Sequence, residues 1–400
     1  MNICVHKSIF AKEEYLLFNG STYSWVLEIP DNCLLVGSPN KNSMSIDSIC
    51  ELLDIEPPVL ISKEIEKSFE QIGFRGPIPS SLVHRKSEFK KLLNEAIETS
   101  KKASDSLERL GYMETFIECQ RILRGMSDAS VDYQRLKREV KNSGSAKNDS
   151  MIKSFQPDSN GLMQKAVYSN TSTSTGRMTI ESGPQILTAP KIIRKCIKSR
   201  YENGIVCQVD FVSLEPRLGR IMADADPKND IYKDFGDLVF SGKLNREQVK
   251  KVMLCAIYGA GFRTLSDLLP DGMSPRSVVK KAKEYLDFEN IVKKKREELR
   301  NFGYMQNCFG RPINPSSNRD SLVYNNWLQS SAVDVALLGF GEIIKSLSEL
   351  RSMPIFLIHD ALLIDVHPDE EKIIKKIAKG GAAVEGIGYF PLSYSTFSDE

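Results

Sequence analysis

The sequence predicts an α+β protein built from more than one subdomain, and three observations carry that prediction. The chain has 400 residues, 26% charged and 41% hydrophobic, enough for a sizeable core shared among two or three subdomains. Short apolar runs separated by turn residues occur towards both ends. Between them a Gly-poor stretch over 87–141 carries Phe89, Leu92, Leu93, Ile97 and Leu107 near helical spacing.

Charge and cysteine usage narrow the class. Lys plus Arg number 54 against 52 Asp plus Glu, a formal net charge of +2, which excludes a binder working through bulk positive charge alone. No run of about 18 apolar residues occurs and no apolar leader with a cleavage pattern opens the chain, so an intracellular, cytoplasmic protein without a membrane span is expected. The eight cysteines stand apart with no C-x-x-C pair, and the four histidines do not cluster with them. Reduced thiols are expected, and a structural zinc is not.

Taken in order, residues 1–83 combine β-like runs at 25–29 and 33–37 with breaks at Pro57-Pro58 and 76–81, the pattern of a small α+β domain ending in a linker. The periodicity over 87–141 predicts two or three long helices, ending in a basic, polar stretch over 135–150. Tyr168-Ser-Asn-Thr-Ser-Thr-Ser-Thr-Gly-Arg177 is a Ser/Thr-rich loop ending in Gly-Arg. Residues 191–200 hold five basic residues and no acid, which fits either a solvated face or a phosphate backbone.

Gly204-Ile-Val-Cys-Gln-Val-Asp210-Phe-Val212 reads as a largely buried strand, and a carboxylate at the end of such a strand is costly without a partner. Ser213 is placed to cap the next helix, with Pro216 in its first turn and Glu215 at its start. Pro354-Ile-Phe-Leu-Ile-His359-Asp360-Ala-Leu-Leu-Ile-Asp365-Val reads as a β-hairpin with an acid at its tip. Asp210 and Asp360 together suit a pair of magnesium ions, because hard cations take carboxylate oxygens and substrate phosphates. Either aspartate alone reads at least as well as a turn residue. Asn245-Arg-Glu-Gln248 resembles a capping box and Gly259-Ala-Gly261 a helix stop, predicting a helix over 246–258. Arg246, Lys250, Leu254 and Tyr258 recur every four residues on one face, where a triphosphate fits the cations and a base the ring. An amphipathic helix with ordinary surface cations fits the same spacing.

In this order the motifs resemble those of the family A DNA polymerases, from about Tyr168 to the C-terminus. Ser174-Thr-Gly-Arg177 is similar to the family's T-G-R element and Val209-Asp-Phe-Val-Ser-Leu-Glu-Pro-Arg217 to its motif A. Arg246 to Gly259 resembles motif B, and Ile358-His-Asp360 motif C. Gly310-Arg311 and Asn325-Asn-Trp-Leu-Gln329 fall where the family contacts template and primer. The resemblance implies a right-hand polymerase architecture with an antiparallel palm sheet and helical fingers and thumb. It divides the chain into a small N-terminal α+β domain (1–83), thumb (84–150), palm (151–235), fingers (236–305) and palm again (306–400).

By the same resemblance, Asp210, Asp360 and the Phe211 carbonyl hold two Mg2+ ions, for which Mn2+ can substitute, and primer-template DNA is extended with deoxynucleoside triphosphates. Arg246 and Lys250 grip the triphosphate, with Lys250 placed to protonate the leaving group. Tyr258 sits beside the nascent base pair, and Glu215 excludes a ribonucleotide 2′-hydroxyl. Arg177, Arg217, Arg311, Asn325, Gln329 and His359 contact DNA. Four residues depart from the family pattern. Leu254 stands where Phe or Tyr is usual, Tyr232 replaces a histidine expected at phosphate, Ser213 replaces a glutamine, and Ala361 follows Asp360 where a second acid is usual. A monomer working with replisome accessory proteins is expected, in a host cytoplasm if phage- or plasmid-encoded. A low-fidelity repair or translesion polymerase is the alternative; a non-catalytic relative is opposed by retention of Asp210, Asp360, Arg246, Lys250 and Tyr258.

Bacterial members of the family carry a proofreading exonuclease ahead of the polymerase region. Here the D-x-E of Asp54-Ile-Glu56 runs straight into Pro57-Pro58, and roughly 80 residues are too few for such a domain. The purified protein should therefore leave a mismatched primer terminus intact in magnesium. Shortening of that primer, lost on changing Asp54, would overturn this expectation.

Overall fold

The first apolar runs of the chain pair into a mixed four-stranded sheet. In a computed structural model, which describes residues 1–30, 33–38, 44–142, 148–259 and 261–397, β1 (Asn2–Val5), β2 (Tyr15–Phe18), β3 (Tyr23–Val26) and β4 (Cys33–Val36) lie in the order β3-β2-β1-β4. β1 runs parallel to β4 and antiparallel to β2. Strands near 25 and 33 are as expected from sequence. β1 and β2 escape that reading because runs of four residues carry too little periodicity to stand out. Helices α1 (Ile46–Leu53) and α2 (Lys86–Arg109) pack on this sheet. α2 buries Ala96, Ile97, Ser100, Ala103, Ser104 and Leu107, a stripe of mostly small residues at helical spacing. With α3 (Met113–Arg124) and the returning segment 168–172 these elements make one compact unit. The Gln120 amide donates to Asn170 at 2.8 Å, and the Thr171 hydroxyl to Glu51 at 2.7 Å, tying that segment in.

Residues 125–167 and 173–400 form the second unit. Its centre is an antiparallel sheet of β5 (Ile205–Phe211), β6 (Met353–Ile358), β7 (Ala361–Val366) and β8 (Leu392–Thr396), in the order β6-β7-β5-β8. Every residue of β7 is buried, which is why its sequence, Ala-Leu-Leu-Ile-Asp-Val, shows no alternation. A helical block follows β5: α4 (Leu214–Met222), α5 (Ile231–Phe240), α6 (Arg246–Tyr258), α7 (Pro275–Tyr285) and α8 (Phe288–Phe302). α6 has the predicted bounds, with the Asn245/Gln248 capping box formed and Gly259 at φ +73° ending it. The 28-residue α9 (Asp320–Leu347) packs against α4, α6 and α8. Where it passes Phe211, a Cβ on Gly339 would lie 2.8 Å from the ring, so glycine there permits the close approach. α10 (Glu371–Gly380) covers β8.

Several expectations need adjusting. Ser213 precedes α4 as predicted, but it adopts a left-handed conformation (φ +58°) and its hydroxyl makes no capping hydrogen bond. The cations over 191–200 do not form one solvated row. The Arg194 guanidinium donates to the carbonyls of Ala189 and Leu187, and Arg200 is committed to Asp128 and Asp365. Within the basic stretch over 135–150, a helix covers Tyr133–Asn142, while residues 143–147 lie outside the described residues, as does Ala260 of the helix stop. All eight cysteines are free thiols, six of them buried, in keeping with the reduced state expected. Among the described residues, no helix is long and apolar enough to cross a membrane.

Asp365 is fully buried on β7 and accepts from the Ser199 hydroxyl at 2.6 Å and from the backbone N–H and Nε of Arg200 at 3.1 Å each. It is therefore spent on structure, as its odd separation from Asp360 implies. Asp365→Ala leaves Arg200 with Asp128 alone and deprives the Ser199 hydroxyl and the Arg200 N–H of their acceptor, and should lower the unfolding free energy by about 1–3 kcal/mol, read from urea denaturation.

Candidate active site

Two backbone features bring Asp210 and Asp360 to the same end of the central sheet. Asp210, next to last in β5, pairs with Ala361 of β7 and with Ser393 of β8. The β6–β7 hairpin turns through His359 and Asp360 alone, and the Phe211 N–H donates to the Asp360 carbonyl at 3.2 Å. His359 occupies the first loop position at φ +56°, a conformation that L residues seldom hold and that two-residue hairpins require. The tightness of this turn fixes where the second carboxylate stands.

The carboxylates open into a cleft of about 460 Å3, within the range of small-ligand sites. Of the sequence-predicted residues, Asp210, Phe211, Ser213, Glu215, Tyr232 and Lys250 line it, as do Leu254, Tyr258, Arg177, Gln329, His359 and Asp360. Met178, Leu214, Pro216, Ala332, Val333 and Ala336 complete the wall. These last residues are apolar or small and carry no chemical signature in sequence. Burial pushes the Asp360 carboxyl above its ordinary range, against the opposing pull of its backbone hydrogen bond, His359, Lys250 and Arg177. Burial, reinforced by the Arg177 charge, depresses the His359 imidazole. Among the described residues no group of three His, Cys, Asp or Glu side chains forms a metal cluster. The candidate donors are thus two carboxylates and the Phe211 carbonyl.

α6 supplies the opposite wall. The Arg246 Nε is held by Asp230 at 2.8 Å and its Nη1 by Glu247 at 3.2 Å, and its guanidinium lies 5.2 Å from the Tyr232 ring centre. The same Asp230 carboxylate caps α5 by accepting from the N–H groups of Tyr232 and Lys233. Burial would raise Asp230, but Arg246 and those N–H groups outweigh it and hold it below the usual range. Arg246 does not line the cleft. Lys250, one turn along, is exposed, lines the cleft and makes no ion pair among the described residues. Tyr232 is buried, which pushes its phenol up to about 12, so it presents a neutral hydroxyl where a histidine would titrate.

At the far end of α6 the Tyr258 hydroxyl donates to Glu215, joining α6 to the first turn of α4. Burial raises Glu215, partly offset by Tyr258 and Arg177, and burial together with Glu215 drives the Tyr258 phenol well above its ordinary value. With its amide oxygen turned towards Arg177, Gln329 accepts from Nε and Nη2 at 3.1 Å each and donates to the Thr175 hydroxyl at 3.0 Å. In the sequence Thr175 stands out only as the first residue of the Thr-Gly-Arg element, the last of five Ser/Thr residues in a row, with no partner assigned to it.

The remaining predicted contacts are buried. Arg217 is 3% exposed and donates to the carbonyls of Pro227, Lys228 and Asn229, holding the loop ahead of α5. Asn325 is also buried. Arg311 is fully buried and its guanidinium lies against Gly176. A Cβ at Gly176 would stand 2.8 Å from Cζ, and the residue sits at φ +76°. The glycine of Thr-Gly-Arg and the arginine of Gly-Arg thus form one packed unit.

Three comparisons bear on this arrangement. Residues 87–385 match the family model described as DNA polymerase family A. A DNA polymerase I of Caldicellulosiruptor bescii is 25% identical over 269 residues, 57% of this chain, and the match spans 30% of that relative's length. The fold superposes on the POL domain of Pol1 from M. smegmatis, in complex with DNA primer-template and dNTP, with a TM-score of 0.60 and 15% identity, covering 88% of this chain and 82% of that one. At that identity the likeness is one of fold.

The Gly176–Arg311 contact yields a direct test. Gly176→Ala adds both left-handed strain and overlap with a buried guanidinium, and should destabilise the protein by about 2 kcal/mol or more. Gly303→Ala, at similar φ but with nothing within 4 Å, should show the strain alone in a parallel thermal unfolding experiment.

Proposed function

Because the chain belongs to DNA polymerase family A, we propose that it extends a primer 3′-hydroxyl with deoxynucleoside triphosphates under the direction of a template strand. The observation carrying this reading is the single cleft that gathers two strand-end carboxylates, the exposed Lys250 and the Tyr258–Glu215 pair. An antiparallel sheet with a long helix behind it supports a palm at 151–235 and 306–400, and the helical block beyond β5 supports fingers at 236–305, with the thumb taken as 84–150.

The donor set fits hard divalent cations, because all three candidate ligands are oxygens and no thiol competes among the lining residues. Asp210, Asp360 and the Phe211 carbonyl would hold magnesium, with manganese as a substitute. When bound, the two ions supply activation of the primer hydroxyl and charge neutralisation at the leaving pyrophosphate.

The chain's own groups do the rest. Lys250 Nζ, exposed and without a carboxylate partner among the described residues, holds the triphosphate and delivers a proton to the departing pyrophosphate oxygen. Arg246 adds charge behind it while remaining tethered to Asp230. Leu254 offers the nucleotide an apolar contact without an aromatic face. Tyr258 borders the nascent pair, and its hydrogen bond keeps the Glu215 carboxylate against the sugar edge, closing the space a 2′-hydroxyl needs. Arg177, steadied by Gln329 and Thr175, faces the primer terminus together with His359. Arg217 and Arg311 serve as scaffold, the first for the loop before α5 and the second under Gly176. The reading includes no proofreading and a monomeric enzyme, with accessory replication proteins as further partners.

A primer-extension assay in magnesium tests it. Asp210→Ala and Asp360→Ala should each abolish extension while affinity for primer-template stays within a few-fold. Glu215→Ala should admit ribonucleotides that the parent rejects. Extension by the Asp210/Asp360 double variant would sink the assignment.

A further inference from the structure

Away from the cleft, the acids on α8 and at the start of α9 are largely spoken for. Glu298 is taken by Lys295 at 2.7 Å and by the Gln306 N–H, Glu289 by Lys283 at 3.7 Å, and Asp320 by Arg296 at 2.8 Å. Lys293, Lys294 and Arg300 make no ion pair among the described residues, against one exposed and likewise unpaired acid, Glu297. Lys293, Arg296 and Arg300 recur at i, i+3 and i+7, so three exposed cations share one face. Arg296 also donates to the Asn318 carbonyl at 2.7 Å, pinning α8 to the loop before α9. Between them lies a groove of about 510 Å3 bordered by Arg296, Arg300, Gly303, Asn314 and Asn318. Just past it the Phe302 ring is 64% exposed, with Tyr304 at 6.0 Å between centroids.

A cationic face, side-chain amides and an uncovered aromatic ring are what a single nucleic-acid strand uses: phosphates on the cations and a base on the ring. The groove stands at the N-terminal end of α9, and nine residues further along the same helix Gln329 lines the cleft. That is about 14 Å at 1.5 Å per residue, or roughly four stacked nucleotides. Resting on the polymerase reading, we infer that this groove holds the unpaired 5′ stretch of the template strand before it reaches the cleft.

The test compares fluorescence-anisotropy affinities for one duplex whose 5′ template overhang is about two or about ten nucleotides, either side of that span. The full chain should bind the longer overhang about tenfold more tightly. Arg300→Glu combined with Phe302→Ala should erase that gain, flatten the salt dependence by about one unit of slope, and leave both short-overhang affinity and single-nucleotide extension unchanged. A parent that shows no gain, or a variant that keeps it, overturns the inference. So does a gain that requires a displaced non-template strand instead of the overhang. A parent that gains affinity with overhang yet extends no primer would count against the polymerase reading and leave the strand-binding groove standing.

Discussion

The register of β5 against β7 is the constraint on which the site depends. Asp210 opposite Ala361, with Asp360 one residue back in a two-residue turn, forces two acids to the same sheet end. Like charges so placed repel, and an apolar sheet offers neither of them solvation. The surrounding chain answers with cations that approach from two different elements, Arg177 from a loop and Lys250 from α6, beside a His359 ring whose own charge burial and Arg177 oppose. A one-residue slip of β7 would turn Asp365 away from Ser199 and Arg200 and separate the two strand-end acids, so the same register guards the buried ion pair and the geometry of the carboxylates.

Much of this was legible in the residues. The helix over 246–258 could be bounded because its capping box and stopping glycine are local signals, and the strand carrying Asp210 because a continuous apolar run flanked by turn residues has few other readings. The hairpin tip followed from an apolar run broken by His-Asp. What escaped were features set by partners distant in sequence. Nothing near Arg217 or Arg311 announces burial, since arginine defaults to a surface reading, and only the carbonyls at 227–229 and the bare face of Gly176 explain their interior positions. Ser213 looked like a cap because serine favours that role, yet the chain's exit from β5 demands a left-handed residue there. Asp230 drew no notice as an isolated acid, and its two roles emerge only when α5 and α6 lie side by side.

The near-zero net charge takes on a different meaning once the residues are placed. Many cations are tied into structure, as with Arg200 on Asp365 or Arg194 on carbonyls, and many acids are consumed by neighbouring lysines. The near-even total thus averages over sites of opposite sign, acidic at the sheet end and basic on α6 and α8, and those sites set the local field that a polyanionic partner would meet.

The hydrogen bond from Tyr258 to Glu215 has one more consequence. Its two ends belong to helices anchored differently, α4 continuing from the sheet and α6 packed within the helical block. Any tilt of α6 that lengthens this bond loosens the carboxylate, and any group that competes for the carboxylate loosens α6, because a coupling between two sites acts equally in both directions. In the proposed reaction, choice of sugar is then a joint property of two helices, expressed fully only in the arrangement where they touch.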